Sequence, residues 1–379
     1  MSTRRILGLW YWAGILACAV LFVLPTFHAA PQGSSSGYHV IRNVLLGGEG
    51  SWDYLTVDPD AKRIYIPRSN DIMVVDEVSG KVIGDIAGLS GLHAIQVIPE
   101  LNRGFATGNE GTPPATGGGP PDPVIYVIDL KTLMMTGKII PEAGAKGNDS
   151  EEYDPVTKRV FAYTAQTSNV QVIDAASAKI VGTVTFPGRP EGSVPDGKGS
   201  MFVQIADKSE MQEFDTKTLA IKNTWPSAPC GRGVGLAMDK AHRRLFLGCR
   251  ATPTSDNKDL MVVMNADNGK VITSMPIGAA TDGAAYDPAT GDIFISSRDG
   301  GDGKTGLTNV FHEDSPDKYS KVADIQTLYG ARTLALDPKT HHVFLVTTAQ
   351  NEPGQPTPQN QNPPLRPVQN TFTLVEIGK

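Results

Sequence analysis

A unit repeated seven times constrains this 379-residue chain more than any other feature. In each copy an apolar or aromatic residue leads into a turn, and an aromatic residue follows eight positions after the first. The pairs are Val57/Tyr65, Val97/Phe105, Tyr153/Phe161, Val194/Phe202, Met238/Phe246, Tyr286/Phe294 and Leu336/Phe344. The turns include Asp58-Pro59, Asp154-Pro155, Asp287-Pro288 and Asp337-Pro338. Proline presets the turn dihedral and aspartate can accept from the backbone two residues on. Each pair therefore reads as a hairpin of two strands, a and b. Apolar alternation ending in an acid or amide follows: Met73-Val74-Val75-Asp76, Ile125-Tyr126-Val127-Ile128-Asp129, Val170-Gln171-Val172-Ile173-Asp174, and equivalents ending at Asp215, Asn265, Glu313 and Glu376. A short turn and another apolar run come after most of these, giving strands c and d.

Successive units are spaced by 40, 56, 41, 44, 48 and 50 residues. Four-strand units at that period are the signature of a propeller. An all-β, seven-bladed β-propeller of four antiparallel strands per blade is the expected fold. The last unit stops after its third strand, while an orphan strand at 38–46 precedes the first. That strand is expected to complete the last blade and close the ring, which removes two sheet edges. The 40 Gly and 28 Pro fit a chain so rich in turns and argue against a helical bundle.

The repeats Arg63-Ile64-Tyr65-Ile66…Met73-Val74-Val75-Asp76 and Arg159-Val160-Phe161-Ala162…Val170-Gln171-Val172-Ile173-Asp174 resemble the YVTN repeat. Across the body of the chain the sequence is similar to the YncE-like, extracytoplasmic seven-bladed propellers. The resemblance implies the fold; it implies no particular activity, since its motif residues build blades.

The N-terminus agrees with an extracytoplasmic address. Arg4 and Arg5 precede an apolar run over 6–24, then Pro25, Ala29 and Ala30. This order reads as a secretory leader over 1–30, followed by a linker at 31–37 and the propeller at 38–379. The length of the run also suits an uncleaved anchor in the inner membrane. A periplasmic or secreted body is expected. Loss of the leader moves the net charge from −6 to −8, a poor match for a phosphate backbone. A monomer that engages a protein partner or a small polar ligand is expected, with no nucleic acid. Cys230 and Cys249 remain in the body; they form a disulfide or two buried thiols.

The a–b turns are short and uniform, whereas the b–c connections carry insertions at 108–123, 298–306 and 350–370, with a shorter one at 251–259. In a propeller these lie on the same face as the starts of the a strands. Elaborated loops on a rigid scaffold often carry function, and segments of this composition can equally be unstructured. Every unit also places an ionisable residue near the start of strand a: Asp53, His93, Asp149, Glu191, Arg232, Asp282 and Arg332. These seven are the candidate ligand site. Asp53, His93, Asp149 and Asp282 are candidate ligands for a divalent cation, Ca²⁺ or Mg²⁺ by their carboxylates and Zn²⁺ by the imidazole. Glu151 and Glu152 stand close by in sequence. Asp299 and Asp302 lack the spacing of an EF-hand loop, and His341-His342 and His242 fall in a–b turns where solvation is expected. The chain has no G-x-S-x-G elbow, C-x-x-C-H haem motif or phosphate loop. Two functions remain: a binding or scaffold propeller of the cell envelope, and a metal-assisted, lactonase-type hydrolase or isomerase of small polar molecules.

Overall fold

The computed structural model describes residues 36–48, 51–111, 122–142, 144–353 and 365–379, with the backbone alone at 350–353 and 365–367. The leader over 1–30 and most of the insertions at 108–123 and 350–370 lie outside the described residues. No helix among the described residues is long and apolar enough to cross a membrane.

Seven four-stranded antiparallel sheets form the body. Their inner strands a are Thr56–Asp58, Ala94–Ile98, Asn148–Asp154, Pro190–Pro195, Arg232–Asp239, Ala279–Asp287 and Leu334–Asp337. The seventh sheet runs in the order Leu334–Asp337, His342–Thr347, Thr373–Gly378, His39–Leu45. The orphan strand thus completes the last blade, with His39 opposite Gly378 and Leu45 opposite Thr373.

The repeated residues explain the repeated shape. The aromatic at the eighth position sits in strand b and is fully buried in every blade, from Tyr65 to Phe344. Apolar side chains of neighbouring blades share one core, as where Tyr65, Ile72 and Val74 meet Ile95, Val97 and Tyr126. Such a core excludes water along the whole blade interface. Six aspartates cap the a–b turns. Asp58, Asp154, Asp196, Asp239, Asp287 and Asp337 are all buried, and each accepts from the amide two residues on. Asp76, Asp129, Asp174 and Asp215 cap the c–d turns by accepting from the amide three residues on. Blade 7 has no c–d turn, because its outer strand comes from the other end of the chain. Glu376 stands where the capping aspartate would, and it pairs instead with Arg42 of that strand and with His342.

The closure reaches beyond blade 7. The Tyr38 hydroxyl donates to Asp292 of blade 6 at 2.6 Å, and Lys379 lies 3.3 Å from the same carboxylate. The Tyr38 ring packs edge-on against Phe294. Tyr38 and Lys379, from opposite ends of the sequence, are therefore held by one acid of the neighbouring blade. Burial opposes its ionisation, but bonds from Tyr38 and His312 and the Lys379 charge hold Asp292 below the usual carboxylate range. In blade 5, Cys230 and Cys249 are joined by a disulfide, with Cα atoms 5.2 Å apart.

Three expectations need correcting. In blade 2 the strands run to Glu110 and restart at Asp122, so the expected insertion at 108–123 loses its ends to regular pairing. The face bearing the a–b turns is not uniformly plain: blade 6 extends a hairpin, Thr305–Ser315 with Lys318–Leu328, whose tip is held by Arg244 through Pro316 O and Asp317. His341 and His342 are not simply solvated. Their Nδ1 atoms lie 2.8 Å from Asp287 and 2.7 Å from Glu376, both buried carboxylates. His242 likewise bonds Asp239 at 2.6 Å.

Candidate functional site

Strands a converge on the axis, and their starting ends open into a bowl of about 290 Å³. All seven residues singled out in the sequence line it. The close approach of the inner strands needs glycines. A Cβ on Gly192 would stand 2.1 Å from Val234 O, and one on Gly235 would stand 2.8 Å from the carbonyl carbon of Gly283.

The ionisable groups of the bowl are paired across blades. His93 Nδ1 lies 3.0 Å from Asp53 and 3.9 Å from Asp149. Arg189 reaches Asp149 at 3.3 Å and Glu191 at 2.8 Å. Arg232 lies 3.2 Å from Glu191. Asp282 is shared by Arg250 at 2.6 Å and Arg332 at 2.5 Å. The carboxylates sit deep, at 5–16% side-chain exposure, while the arginines form a shallower collar at 28–44%. Burial disfavours charge on His93, but its bond to Asp53 and the charges of Asp53 and Asp149 hold the imidazolium above its ordinary range. Burial raises Asp149, and the Asp53 charge adds to it. Burial also raises Asp282, against the pull of Arg250 and Arg332, and raises Glu191 with help from Asp149.

Sequence reasoning missed four polar residues of the bowl: Tyr54, Arg189, Arg250 and Arg298. Tyr54 forms its floor, and burial among Asp282, Asp53, Asp149 and Glu191 holds its hydroxyl protonated, well above the ordinary range. The pattern at the start of strand a offered a signal for Arg189, which stands two residues before Glu191. Arg250 and Arg298 come from strands b, Arg244–Arg250 and Asp292–Asp299, which the search for strand-a positions left aside. Arg298 has no carboxylate partner among the described residues; its guanidinium lies 5.4 Å from the centre of the Tyr329 ring.

Below Tyr54 lies a second chamber of about 180 Å³. Glu151 and Glu152 line this chamber and not the bowl. Glu151 accepts from Gln96 N at 2.9 Å. Burial lifts it well above the usual range and lifts Glu152 to about 7. Glu151 is thus held as a carboxylic acid at neutral pH, while Glu152 stands near its midpoint there. Sideways, the bowl runs through His93, Asp149 and Arg189 into a groove of about 480 Å³ lined by Ser90, Asn109, Asn148 and Gln166.

Among the cation candidates, Asp53, His93 and Asp149 bring donor atoms within 4.8 Å of one another, and Asp282 is not in that set. Two carboxylates and an imidazole suit a divalent ion by type. Each already faces a protein cation or proton, so a metal would have to displace Arg189 and the proton His93 shares with Asp53. The Asp299 and Asp302 carboxylates are occupied as well. They accept from the amides of Gly301, Gly303, Lys304 and Thr305, which makes this segment a self-capped turn. Trp52 is buried against Phe372 and packs a blade junction.

Fold and site together define a seven-bladed propeller with a charged bowl at one channel mouth. No protein-family model matches the chain, and no curated protein is similar to it in sequence. Its fold is similar to a chain in a crystal structure of the mitotic checkpoint complex, with a TM-score of 0.65 and 11% identity over 90% of this chain and 95% of that one. At that identity the likeness concerns the fold alone.

Proposed function

We propose that this chain is an extracytoplasmic propeller of the YVTN-repeat kind that binds a small polar ligand or a protein partner at the channel mouth. One observation carries the reading. Ionisable residues from all seven blades converge on one bowl, and none of the seven singled out in the sequence is used to cap a turn. A concave site with a few convergent polar groups is the usual form of a ligand pocket. The leader-like order of residues at 1–30 supports the extracytoplasmic address. The fold supports a binding role only as a scaffold common to many functions.

A thermal-shift screen with carboxylates, phosphates, amines and sugars tests the binding role. At least one class is expected to raise the melting temperature of the wild type and not of Tyr54→Phe or Asp282→Asn. A screen without any shift, or with equal shifts in the variants, overturns it. Cell fractionation with external protease tests the address: a cytoplasmic, protected chain is incompatible with it.

A second reading has its own support in the Asp53–His93–Asp149 cluster. With a divalent ion bound there, the site would act as a metal-assisted hydrolase of lactone-like substrates, the ion supplying Lewis acidity. His93 and the two aspartates would hold the ion, and the arginine collar would orient the substrate. Titration with Ca²⁺, Mg²⁺ and Zn²⁺ decides this reading. No stoichiometric binding, or binding unchanged in His93→Ala, removes it.

A further inference from the structure

The bowl sorts its charges by side. Blades 5 to 7 contribute Arg232, Arg250, Arg298 and Arg332 against Asp282. Blades 1 to 3 contribute Asp53 and Asp149 with only His93 between them. Blade 4 sits at the border, where Arg189 and Glu191 bond each other.

Neither side is balanced by its own groups. On the arginine side, Arg250 and Arg332 share the single Asp282 carboxylate, and Arg232 shares Glu191 with Arg189. Arg298 faces no carboxylate among the described residues. On the acid side, Asp53 and Asp149 share one imidazole. Arg189 helps Asp149 but also serves Glu191. One half therefore holds more cations than carboxylates, while in the other two carboxylates share one imidazole and part of Arg189.

We propose that the mouth binds a small zwitterion, its carboxylate against the arginines of blades 5 to 7 and its ammonium against Asp53 and Asp149. This inference rests on reading the mouth as a ligand site. A metal ion would complete only the acid side, and a simple anion only the arginine side. A zwitterion completes both with charge-assisted hydrogen bonds. The bowl, about 290 Å³, stands at the lower end of ligand pockets, so the occupant is a small molecule. The Tyr54 hydroxyl, with no hydrogen bond to a described residue, offers a further polar partner on the floor between the two halves. The polar groove beyond His93 and Asp149 leaves room for a side chain or extension on the ammonium side.

The test is calorimetric titration of the purified full chain at low salt. The probes are the twenty proteinogenic amino acids, β-alanine and 4-aminobutanoate, each beside its N-acetyl and carboxamide derivative. Acetate, succinate, inorganic phosphate and methylammonium complete the set. At least one zwitterion is expected to bind and to lose at least about tenfold in affinity when either end is capped, because one charged half is then left unmatched. Arg298→Gln should weaken the zwitterion at least about tenfold with an unchanged melting temperature, and Arg298→Lys should restore part of the affinity. Asp53→Asn should weaken the zwitterion more than its N-acetyl form. Acetate or phosphate binding as tightly as any zwitterion, in an Arg298-dependent way, overturns the zwitterion while leaving the mouth as a ligand site. No binding by any probe, or binding indifferent to both substitutions, overturns both.

Discussion

Two triads of similar composition stand at opposite ends of the ring. Asp53, His93 and Asp149 lie at the mouth, and Asp239, His242 and Glu313 on the opposite face; in each, donor atoms approach within 4.8 Å. What the side chains already do separates them. Asp239 is buried and accepts from the amides of Ala241 and His242 as well as from the His242 ring. Glu313 is buried beside it, and burial together with the Asp239 charge raises its carboxyl. Two of these three residues come from a single a–b turn, and the triad holds that turn to the hairpin of blade 6. At the mouth the three residues come from three blades and cap no turn. Proximity of donors identifies neither triad as a site; freedom from local backbone work marks the mouth.

Several experiments can break or sharpen this contrast. The largest effect is expected from deleting residues 38–46, which strips the outer strand of blade 7 and leaves Asp292 without Tyr38. Melting should fall by roughly 10 °C or more, and an unchanged melt by calorimetry rules out closure by this strand. Next, Cys230→Ser with Cys249→Ser opens a loop of 19 residues in sequence. Chemical denaturation should show a loss of about 3 kcal/mol.

The two triads can then be compared directly. Asp239→Asn should cost about 1–3 kcal/mol, because it weakens the acceptor for buried turn amides. Asp53→Asn should cost less than about 1 kcal/mol while altering ligand binding. Equal losses in both would mean that the mouth triad is structural too.

The smallest effect concerns pH. Glu152 is raised from 4.5 to about 7, mainly by burial. The folded state then holds a proton that the unfolded chain releases, so its stabilising share is complete below about pH 4.5 and is lost as pH rises through about 7. Glu152→Gln should raise the melting temperature at pH 8 more than at pH 5; equal shifts at the two values would place Glu152 outside this linkage.

Much of the architecture was legible because it is written in repeats. The aspartate-capped turns and the buried aromatic at the eighth position recur in sequence and in space. Glu376 stands where the first four units have aspartate, and in blade 7 no c–d turn remains for it to cap, so it pairs with Arg42 instead. The mouth was legible to the extent that strand a repeats. Arg250 and Arg298 escaped because they approach the axis from strands b, through side-chain reach that periodicity does not encode. Glu151 and Glu152 could not be assigned a direction, since the register between Asn148 and Glu151 is irregular. The sharing of Asp292 by Tyr38 and Lys379 joins residues 254 and 87 positions away from it, a meeting that no local pattern announces.

That meeting has a practical consequence. The chain enters the ring at Tyr38 and leaves it at Lys379, both on the a–b turn side. A peptide tag fused after Lys379 therefore emerges opposite the bowl. A sensor surface that captures the protein by such a tag presents the mouth to the solution.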